Sequence, residues 1–460
     1  MTTVSLCVIA RNEADNLPAC LGPLEPLVDE TIVIDTGSTD STREVAESCG
    51  ARVFDFPWCD DFAAARNESL RRATGDWILW MDADDRLDAD NARKLAELLE
   101  GLGNERRAYL MSCVSLASDG QPAFEAKHVR LFPRAPAHRW TRRVHEQILP
   151  SLRASGCELQ ETGIAVHHTG YQDHRLFLGK IARNLRLLEL EYEGRSPDGW
   201  YFYQRGGALF DLRRFAEAIV SLHLALPLAS EDGVARIHAL LAEAYAHEAP
   251  ELRDALAEVQ RGRARCPTDP DLLLLEAQVL GALGDLDAAS HCLGSALALE
   301  PETGPFAILD ATIALRGRHL LGRVRLLQGK FEDAEAHLRE VLRDRPAFGP
   351  AVLTLGECLL ARGDVVAFDA LSEAIPEGPE SGTGRAVLAA MKATDRRDFE
   401  GALAILDATS NRDPASTFLS RLRALTLARA RQPQAREALD RLLEIDPLDL
   451  EARAAARSAF

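Results

Sequence analysis

The chemistry in this sequence is concentrated in six residues, Trp80-Met-Asp82-Ala-Asp84-Asp85. Three carboxylates fall within four positions, directly after an apolar run, and no basic residue stands between them. Like charges that close repel one another. A divalent cation that prefers hard oxygen ligands would offset the repulsion, and Mg2+ or Mn2+ could bridge such carboxylates to a diphosphate. The competing reading is a turn in which Asp85 and Asp88 cap the following helix. Two more polar clusters end apolar runs in the same way. One is Arg11-Asn12-Glu13. The other is Asp35-Thr-Gly-Ser-Thr-Asp40, where Gly37 permits a tight turn and the polar side chains can bond a ribose or a base.

These clusters need elements to position them. Residues 4–10, 31–35, 52–56 and 77–81 read as strands, nearly all apolar, as strands covered on both faces are. Helix-like segments lie at about 16–27, 39–49, 61–73 and 88–99, with Asp40 and Asp88 near two of the starts as capping residues. Asp60 and Asp61 are expected to cap the helix beginning near Phe62 rather than to form a second metal site. Strand alternating with helix predicts right-handed crossovers and a mostly parallel, Rossmann-like sheet. Ligands of such sheets bind at the carboxyl ends of the strands, which is where the polar clusters stand.

From about residue 173 the pattern is helical only. Leu176, Phe177, Ile181, Leu185 and Leu188 form one apolar stripe, and a breaker follows at 194–199. Gly329, Gly363, Arg397 and Arg431 are spaced 34 residues apart, each before a helix-like segment, and Gly284 and Arg213 open helices in the same manner. Pro301, Pro346, Pro414 and Pro447 close helices at matching points. A helix–turn–helix unit of that period is the tetratricopeptide signature, and each unit is stable only against its neighbours. The copies near 235–270 and 364–395 are irregular, and 306–317 reads as an insertion.

Composition bounds the rest. A chain of 460 residues is too long for one ordinary core. A net charge of −18 argues against a nucleic-acid partner, which needs a basic face. The nine scattered cysteines include no CxxC pair, which fits buried, reduced thiols and a cytoplasmic setting. The first ten residues lack a signal-peptide pattern, and no apolar run approaches the ~18 residues of a membrane span. A peripheral visit to the inner membrane face is compatible with this.

The segments V-S-L-C-V-I-A-R-N-E, I-V-I-D-T-G-S-T-D and W-I-L-W-M-D-A-D-D together resemble the three landmarks of family-2 glycosyltransferases with a GT-A fold, over about residues 2–170. Within that family the sequence is similar to the branch that holds lipopolysaccharide-core glucosyltransferases and bacterial peptide S-glycosyltransferases, some of which carry tetratricopeptide repeats. The resemblance implies an α/β GT-A catalytic domain at 1–172, a linker helix at 173–198 and an all-α tetratricopeptide-type superhelix at 199–460. It implies that Ala10, Arg11 and Glu13 lie along the nucleoside, that Asp35 contacts base or ribose, and that Arg66 and Asn67 reach the nucleotide. Asp82 would contact the sugar nucleotide, expected to be a UDP-sugar, and Asp84 would bind Mn2+ or Mg2+. Such enzymes invert the anomeric carbon in one in-line displacement.

An inverting transferase needs a base for the acceptor proton, and a carboxylate in a partly dry site can be tuned for that work. Glu146 in V-H-E-Q, which resembles a segment of the branch, is the candidate, with His145 second. Here the chain departs from the wider family, whose base is usually an Asp in a Glu-Asp pair. His168, or its neighbour His167, is the candidate to complete the metal shell, since imidazole suits Mn2+. Trp140 with Arg139, Arg142 and Arg143 reads either as a lining of the acceptor side or as a solvated surface loop. The helical array would bind a glycan, peptide or protein acceptor or another partner, make a homodimer, or merely stabilise the small catalytic domain. Two other functions compete: a catalytically degenerate sugar-nucleotide-binding scaffold whose repeats carry the interaction, and a sugar-phosphate nucleotidyltransferase. The second would need a glycine-rich loop where Ala10-Arg-Asn-Glu-Ala stands.

Overall fold

A computed structural model describes residues 2–103, 106–116, 122–169, 174–249, 251–299, 310–346, 348–374, 381–410 and 416–459. The chain divides into two compact units, the first ending at Pro197 and the second starting at Asp198.

In the first unit β1 (Val4–Ala10), β2 (Glu30–Asp35), β3 (Arg52–Asp55) and β4 (Trp77–Asp82) run parallel. Between and after them come α1 (Leu17–Leu21), α2 (Thr42–Ser48), α3 (Phe62–Arg72) and α4 (Ala89–Glu100). The expected helix at 16–27 is shorter, because Gly22 and Pro23 follow α1 and only a 3-10 turn, Glu25–Leu27, remains. Asp61 and Asp88 cap α3 and α4, accepting from Ala64 N at 2.8 Å and Asn91 N at 2.8 Å. Asp60 instead pairs with Arg186 at 2.5 Å.

The remaining strands are β5 (Asp85–Arg86), β6 (Arg107–Leu116), β7 (Pro122–Pro133) and β8 (Glu158–His168), with α5 (Leu149–Ala154) before β8 and α6 (His174–Glu191) after it. One sheet results, in the order β3-β2-β1-β4-β7-β6-β8-β5. It is mixed. Parallel pairing holds through β3-β2-β1-β4 and between β6 and β8, whereas β7 is antiparallel to both its neighbours and β5 is antiparallel to β8. Alternate residues of β1 enter two cores, Leu6 and Val8 with Leu79 and Met81 on one face, Cys7 with Ile34, Trp80 and Trp140 on the other. Burial on that second face pushes the Cys7 thiol up to about 12. The stretch read as a linker contributes α6, which lies in the first unit. It is fastened there by Arg186 on Asp60 and by Glu191, which accepts from Arg143 N at 2.9 Å.

The second unit is helical throughout its described residues. The helices come in pairs: α7 (Gly199–Asp211) with α8 (Phe215–Ala225), α9 (Glu231–Glu248) with α10 (Arg253–Arg265), and α11 (Pro270–Leu283) with α12 (Leu286–Leu297). Then follow α13 (Asp310–Leu327) with α14 (Phe331–Asp344), α15 (Gly349–Arg362) with α16 (Val365–Glu373), and α17 (Ser381–Asp395) with α18 (Phe399–Ser410). The last pair, α19 (Thr417–Arg429) with α20 (Ala435–Ile445), is followed by α21 (Leu450–Ala459). The residues that mark the 34-residue period share one backbone state. Gly329, Gly363, Arg397 and Arg431 have φ of 73°, 79°, 63° and 52°, and Gly284 and Arg213 have 96° and 57°. Each turns the chain between the helices of a pair in the left-handed region, where glycine costs nothing and arginine about 1 kcal/mol. Of the expected insertion, residues 306–309 lie outside the described residues and 310–317 open α13.

Candidate active site

The three clusters predicted from strand ends meet along the carboxyl edge of β2-β1-β4. At the β2 end Asp35 Oδ1 accepts from Gly37 N at 3.2 Å, Ser38 N at 2.9 Å and Ser38 Oγ at 2.7 Å, and Gly37 has a φ of 102°. The carboxylate thereby builds the turn, as a short acidic side chain before glycine does. Ala10 O accepts from Thr36 N at 2.9 Å, joining the tips of β1 and β2. Asn12 ties the same loops by accepting from Thr39 N at 2.8 Å. Arg11 is exposed, and Glu13 is half-buried with Oε2 accepting from Asn16 Nδ2 at 2.7 Å. Burial, together with nearby Asp84, raises the Glu13 carboxyl above its ordinary value.

At the β4 end the acidic residues are sorted by their partners. Asp82 Oδ1 accepts from Arg66 Nη2 at 2.7 Å, and Arg130 Nη2 lies 3.8 Å from Oδ2. Burial alone would raise the Asp82 pKa, but Arg66 and Arg130 outweigh it and hold the carboxyl well below the usual range. Asp85 is fully buried. It accepts from Asp82 N at 2.8 Å, lies 2.8 Å from Arg130 Nη1, and meets His168 Nδ1 at 3.0 Å. That last contact follows from register, because His168 stands directly opposite Asp85 where β8 pairs with β5. Asp84 has His168 Nδ1 at 3.4 Å and Lys180 Nζ at 3.8 Å. Burial, with Asp82 and Asp85 beside it, leaves the Asp84 carboxyl above its ordinary value. The His168 imidazole is shifted upward: burial opposes its charge, but the bond to Asp85 and the neighbouring carboxylates outweigh it.

The repulsion read from the sequence is therefore largely offset within the chain, by two arginines 16 and 45 residues away from the acidic run or its start. Arg130 is a member of this cluster that sequence reasoning passed over. It is 1% exposed, stacks over Trp80 at 3.8 Å and neutralises Asp85. Its signal was present, since an arginine inside the apolar run V-R-L-F must find a buried counter-charge.

Arg66 faces Trp80 from another direction, 4.3 Å from its ring and 5.1 Å from that of Trp140. Its Nε donates to Glu146 Oε1 at 2.6 Å while Nη2 holds Asp82, so one guanidinium fork spans the two carboxylates. Asn67, one residue on, exchanges two 2.9 Å hydrogen bonds with the backbone of Trp140. Trp140 is buried against Trp80 at 5.0 Å, and is neither a solvated surface residue nor an open lining. The loop after it closes through Thr141 and Gln147, which exchange backbone bonds of 3.1 and 2.9 Å. Between them Arg142 and His145 take left-handed φ values of 76° and 52°, and Arg142 Nη1 donates to Tyr192 OH at 3.0 Å. Glu146 is turned inward on Arg66, whereas His145 is exposed. The two late histidines separate: His168 enters the acidic cluster and His167 Nε2 lies 3.3 Å from the capping residue Asp88.

A metal ion can be placed against this geometry. Asp82, Asp85 and His168 bring ligand atoms within 4.8 Å of one another. Asp82 and Asp85 already face arginines, however, so a cation there would compete with two fixed positive charges. Asp84 and His168 suit a hard divalent ion better. Asp84 Oδ1 and Asp85 Oδ1 both approach His168 at Nδ1, at 3.4 and 3.0 Å, so the acidic cluster meets the ring at that nitrogen.

Residues 5–144 match the family profile described as glycosyl transferase family 2, and residues 325–378 match a tetratricopeptide repeat profile. A TPR repeat-containing protein of Synechococcus elongatus is 34% identical over 215 residues, which cover 45% of this chain and 52% of that one. The SPbeta prophage-derived glycosyltransferase SunS of Bacillus subtilis is 27% identical over 230 residues, 45% of this chain and 50% of that one. The chain thus spans about half the length of these curated relatives. Among solved structures, glucosyl-3-phosphoglycerate synthase from Mycobacterium tuberculosis, in complex with Mn2+ and UDP-glucose, is 18% identical with a TM-score of 0.30, covering 43% of this chain and 81% of that one. A likeness that slight bears on neither fold detail nor ligand. No described helix is long and apolar enough to cross a membrane. The chain carries a family-2 glycosyltransferase domain at its N-terminus and a tetratricopeptide repeat in the helical array that follows it in sequence.

Proposed function

We propose that the protein transfers a hexose from a nucleotide-diphosphate sugar, with UDP as the nucleotide, to a hydroxyl or thiol acceptor, inverting the anomeric carbon. The observation that carries this is the Arg66 fork, which sets Asp82 and Glu146 at a fixed spacing beside Asp84 and His168. In this reading the Asp35 turn and the Ala10–Glu13 tip receive the nucleoside, and Asp82 orients the sugar. Asp84 and His168 would hold Mn2+ or Mg2+, which would supply positive charge to the leaving diphosphate. Arg66 and Asn67 act on the nucleotide indirectly, by fixing Asp82 and the Trp140 loop.

The bond changes then follow. The acceptor oxygen or sulfur attacks the anomeric carbon as the bond from that carbon to the diphosphate oxygen breaks, and the diphosphate leaves with the electron pair. The acceptor proton goes to Glu146, whose Oε1 is held by Arg66, so that Oε2 is the receiving atom. His145, exposed and in a strained backbone state, is the second choice. A surface loop pinned at both ends suits a base that must not move.

Calorimetric titration with UDP, GDP and their sugar conjugates, with and without Mn2+, tests the proposal on the wild type and on Asp84→Ala. Metal-dependent UDP binding that disappears in the variant is the expected result. Nucleotide binding absent under every condition would remove the enzyme reading and move the function to the helical array. Glu146→Gln should keep nucleotide affinity within about threefold and lower turnover by about 10²–10⁴. A variant with full turnover would exclude Glu146 as base.

A further inference from the structure

In the second unit the first helices of successive pairs touch one another. α9 meets α11, α11 meets α13, α13 meets α15, and α15 meets α17. In a bent stack the helices that approach their counterparts lie on the inner side, so these helices form the inner face. The segment ending in α21 lies against that face as well as on the end of the stack. On one side Ala452 continues the stack, packed with Ala424 of α19 and Leu439 and Leu442 of α20. On the other side Leu450, 1% exposed, enters a cluster with Leu273 and Leu274 of α11 and with Leu320, Leu321 and Val324 of α13. A Cβ on Gly281 would lie 3.0 Å from Leu450 Cδ2, a tight contact that would make the leucine side chain give by a few tenths of an ångström. Leu448 packs against the cluster that holds Leu252, Val259 and Leu272.

The acids that flank Leu450 are directed inward. Glu451 takes both arms of Arg323, with Nε at 2.9 Å, and lies 3.7 Å from Arg421. Asp449 lies 3.6 Å from each of the same arginines. Both acids are buried, at 4% and 8% exposure. Arg457 Nη1 donates to Ala282 O at 2.5 Å, and Arg213 Nη2 donates to Glu444 O at 2.6 Å. A cavity of about 110 Å³ continues beside Arg323, lined by Leu274, Gln278, Arg316, His319 and Leu320.

A helix that merely ends a repeat array needs a polar outer face. It has no need to drive two carboxylates onto a pair of arginines, one of which, Arg323, lies 126 and 128 residues away, and an apolar seam would hold it at least as well. A leucine between two acids, seated on leucines and two arginines, is how a groove reads a short helical peptide. We propose that the inner face of the array is a docking surface for an acidic, leucine-centred helical segment of a partner protein, and that residues 446–459 occupy it in cis. A partner segment must then displace them.

The test uses the full chain and an isotope-labelled synthetic peptide spanning residues 446–459. Hydrogen exchange of the wild type should show α21 opening independently of α19 and α20. Added peptide should speed α21 exchange at least tenfold while α11 and α13 stay protected. An α21 that ignores the peptide, or that opens only together with α19 and α20, would overturn the proposal, because it would then be a cap alone. In a second arm, the double substitution Leu450→Asp and Glu451→Lys dislodges the cis segment. Fluorescence anisotropy should then show the peptide binding about 10- to 100-fold tighter than to the wild type, as expected when a competing docked state is removed. Adding Arg323→Glu should abolish that gain. Equal affinity for wild type and double variant would likewise overturn the proposal, and if the double variant does not fold, the exchange arm decides.

Discussion

Arg66→Met tests how the site is held together. Arg66 is 6% exposed, with Glu146 at 2.6 Å from Nε and Asp82 at 2.7 Å from Nη2. At an effective dielectric of about 20, each contact supplies roughly 6 kcal/mol of gross attraction. Desolvating the ions takes back several kcal/mol apiece, so the intact trio adds little net stability. Removing the cation alone breaks that balance. Two carboxylates stay in place beside Trp80 and Trp140 without their shared partner, and the expected loss is about 3–5 kcal/mol. The lost stacking on Trp80 at 4.3 Å adds about 1 kcal/mol. Arg66→Lys keeps the charge but not the fork, and should cost about 1–2 kcal/mol. Tryptophan fluorescence in urea isolates the relevant unit, since Trp58, Trp77, Trp80 and Trp140 lie in the first unit and only Trp200 in the second. Far-UV circular dichroism follows the helical array separately, which avoids forcing one transition onto two units. A loss below about 1 kcal/mol for the methionine variant would refute the argument, and equal losses for lysine and methionine would mean that shape, not charge, does the holding.

Glu30 gives a pH-dependent prediction. Its carboxylate accepts from Ser5 Oγ at 2.6 Å, Thr74 N at 2.6 Å, Thr74 Oγ1 at 2.8 Å and Arg52 Nη1 at 2.8 Å. Burial works to raise its pKa, but these donors outweigh it and lower it to about 2. A depressed carboxyl stabilises the fold fully above its ordinary value near 4.5 and loses that contribution as pH falls toward 2. Glu30→Gln should therefore cost about 1–3 kcal/mol at pH 7, with the gap to wild type in urea midpoint closing below pH 4.5. In the array, Arg397→Gly and Arg431→Gly should each raise stability by about 0.5–1 kcal/mol, because both arginines are exposed and left-handed where Gly329 and Gly363 stand in other repeats. A fall in the helical melting temperature would contradict this. Asn67→Ala, which deletes both bonds to Trp140, should lower turnover more than nucleotide affinity, since it loosens the loop that carries Glu146. Equal effects on the two would place Asn67 against the nucleotide instead.

Some of this arrangement can be read from the chain and some cannot, and the difference is one of range. Strands β1, β2 and β4 are apolar runs closed by polar residues, so their parallel pairing and the edge they share follow from local pattern, whereas their order in the sheet does not. The 34-residue period is likewise local, and the positions that mark it prove to be the ones with left-handed backbone. The antiparallel β6–β7 hairpin is less legible, because its strands carry lysine, glutamate, histidine and arginine, residues that look like surface until their partners are known. The cis contact of α21 is illegible for the same reason, since Glu451 and Arg323 are 128 residues apart.

The same limit of range changes the case for a metal. Three acids in four residues look like an uncompensated charge only while the arginines are out of sight. Once Arg66 faces Asp82 and Arg130 faces Asp85, two of the three no longer ask for a cation. Asp84 still does: its nearest cationic groups are His168 at 3.4 Å and Lys180 at 3.8 Å, and its carboxyl remains above the usual range. The demand for a divalent ion thus narrows from a motif to one side chain and the histidine beside it. That is why Asp84→Ala, rather than substitution of Asp82 or Asp85, separates metal binding from simple collapse of the site. Loss of Asp85 would leave the buried Arg130 with only Asp82 at 3.8 Å, and loss of Asp82 would take one of two carboxylates from the buried Arg66, so both changes mix lost stability with lost chemistry.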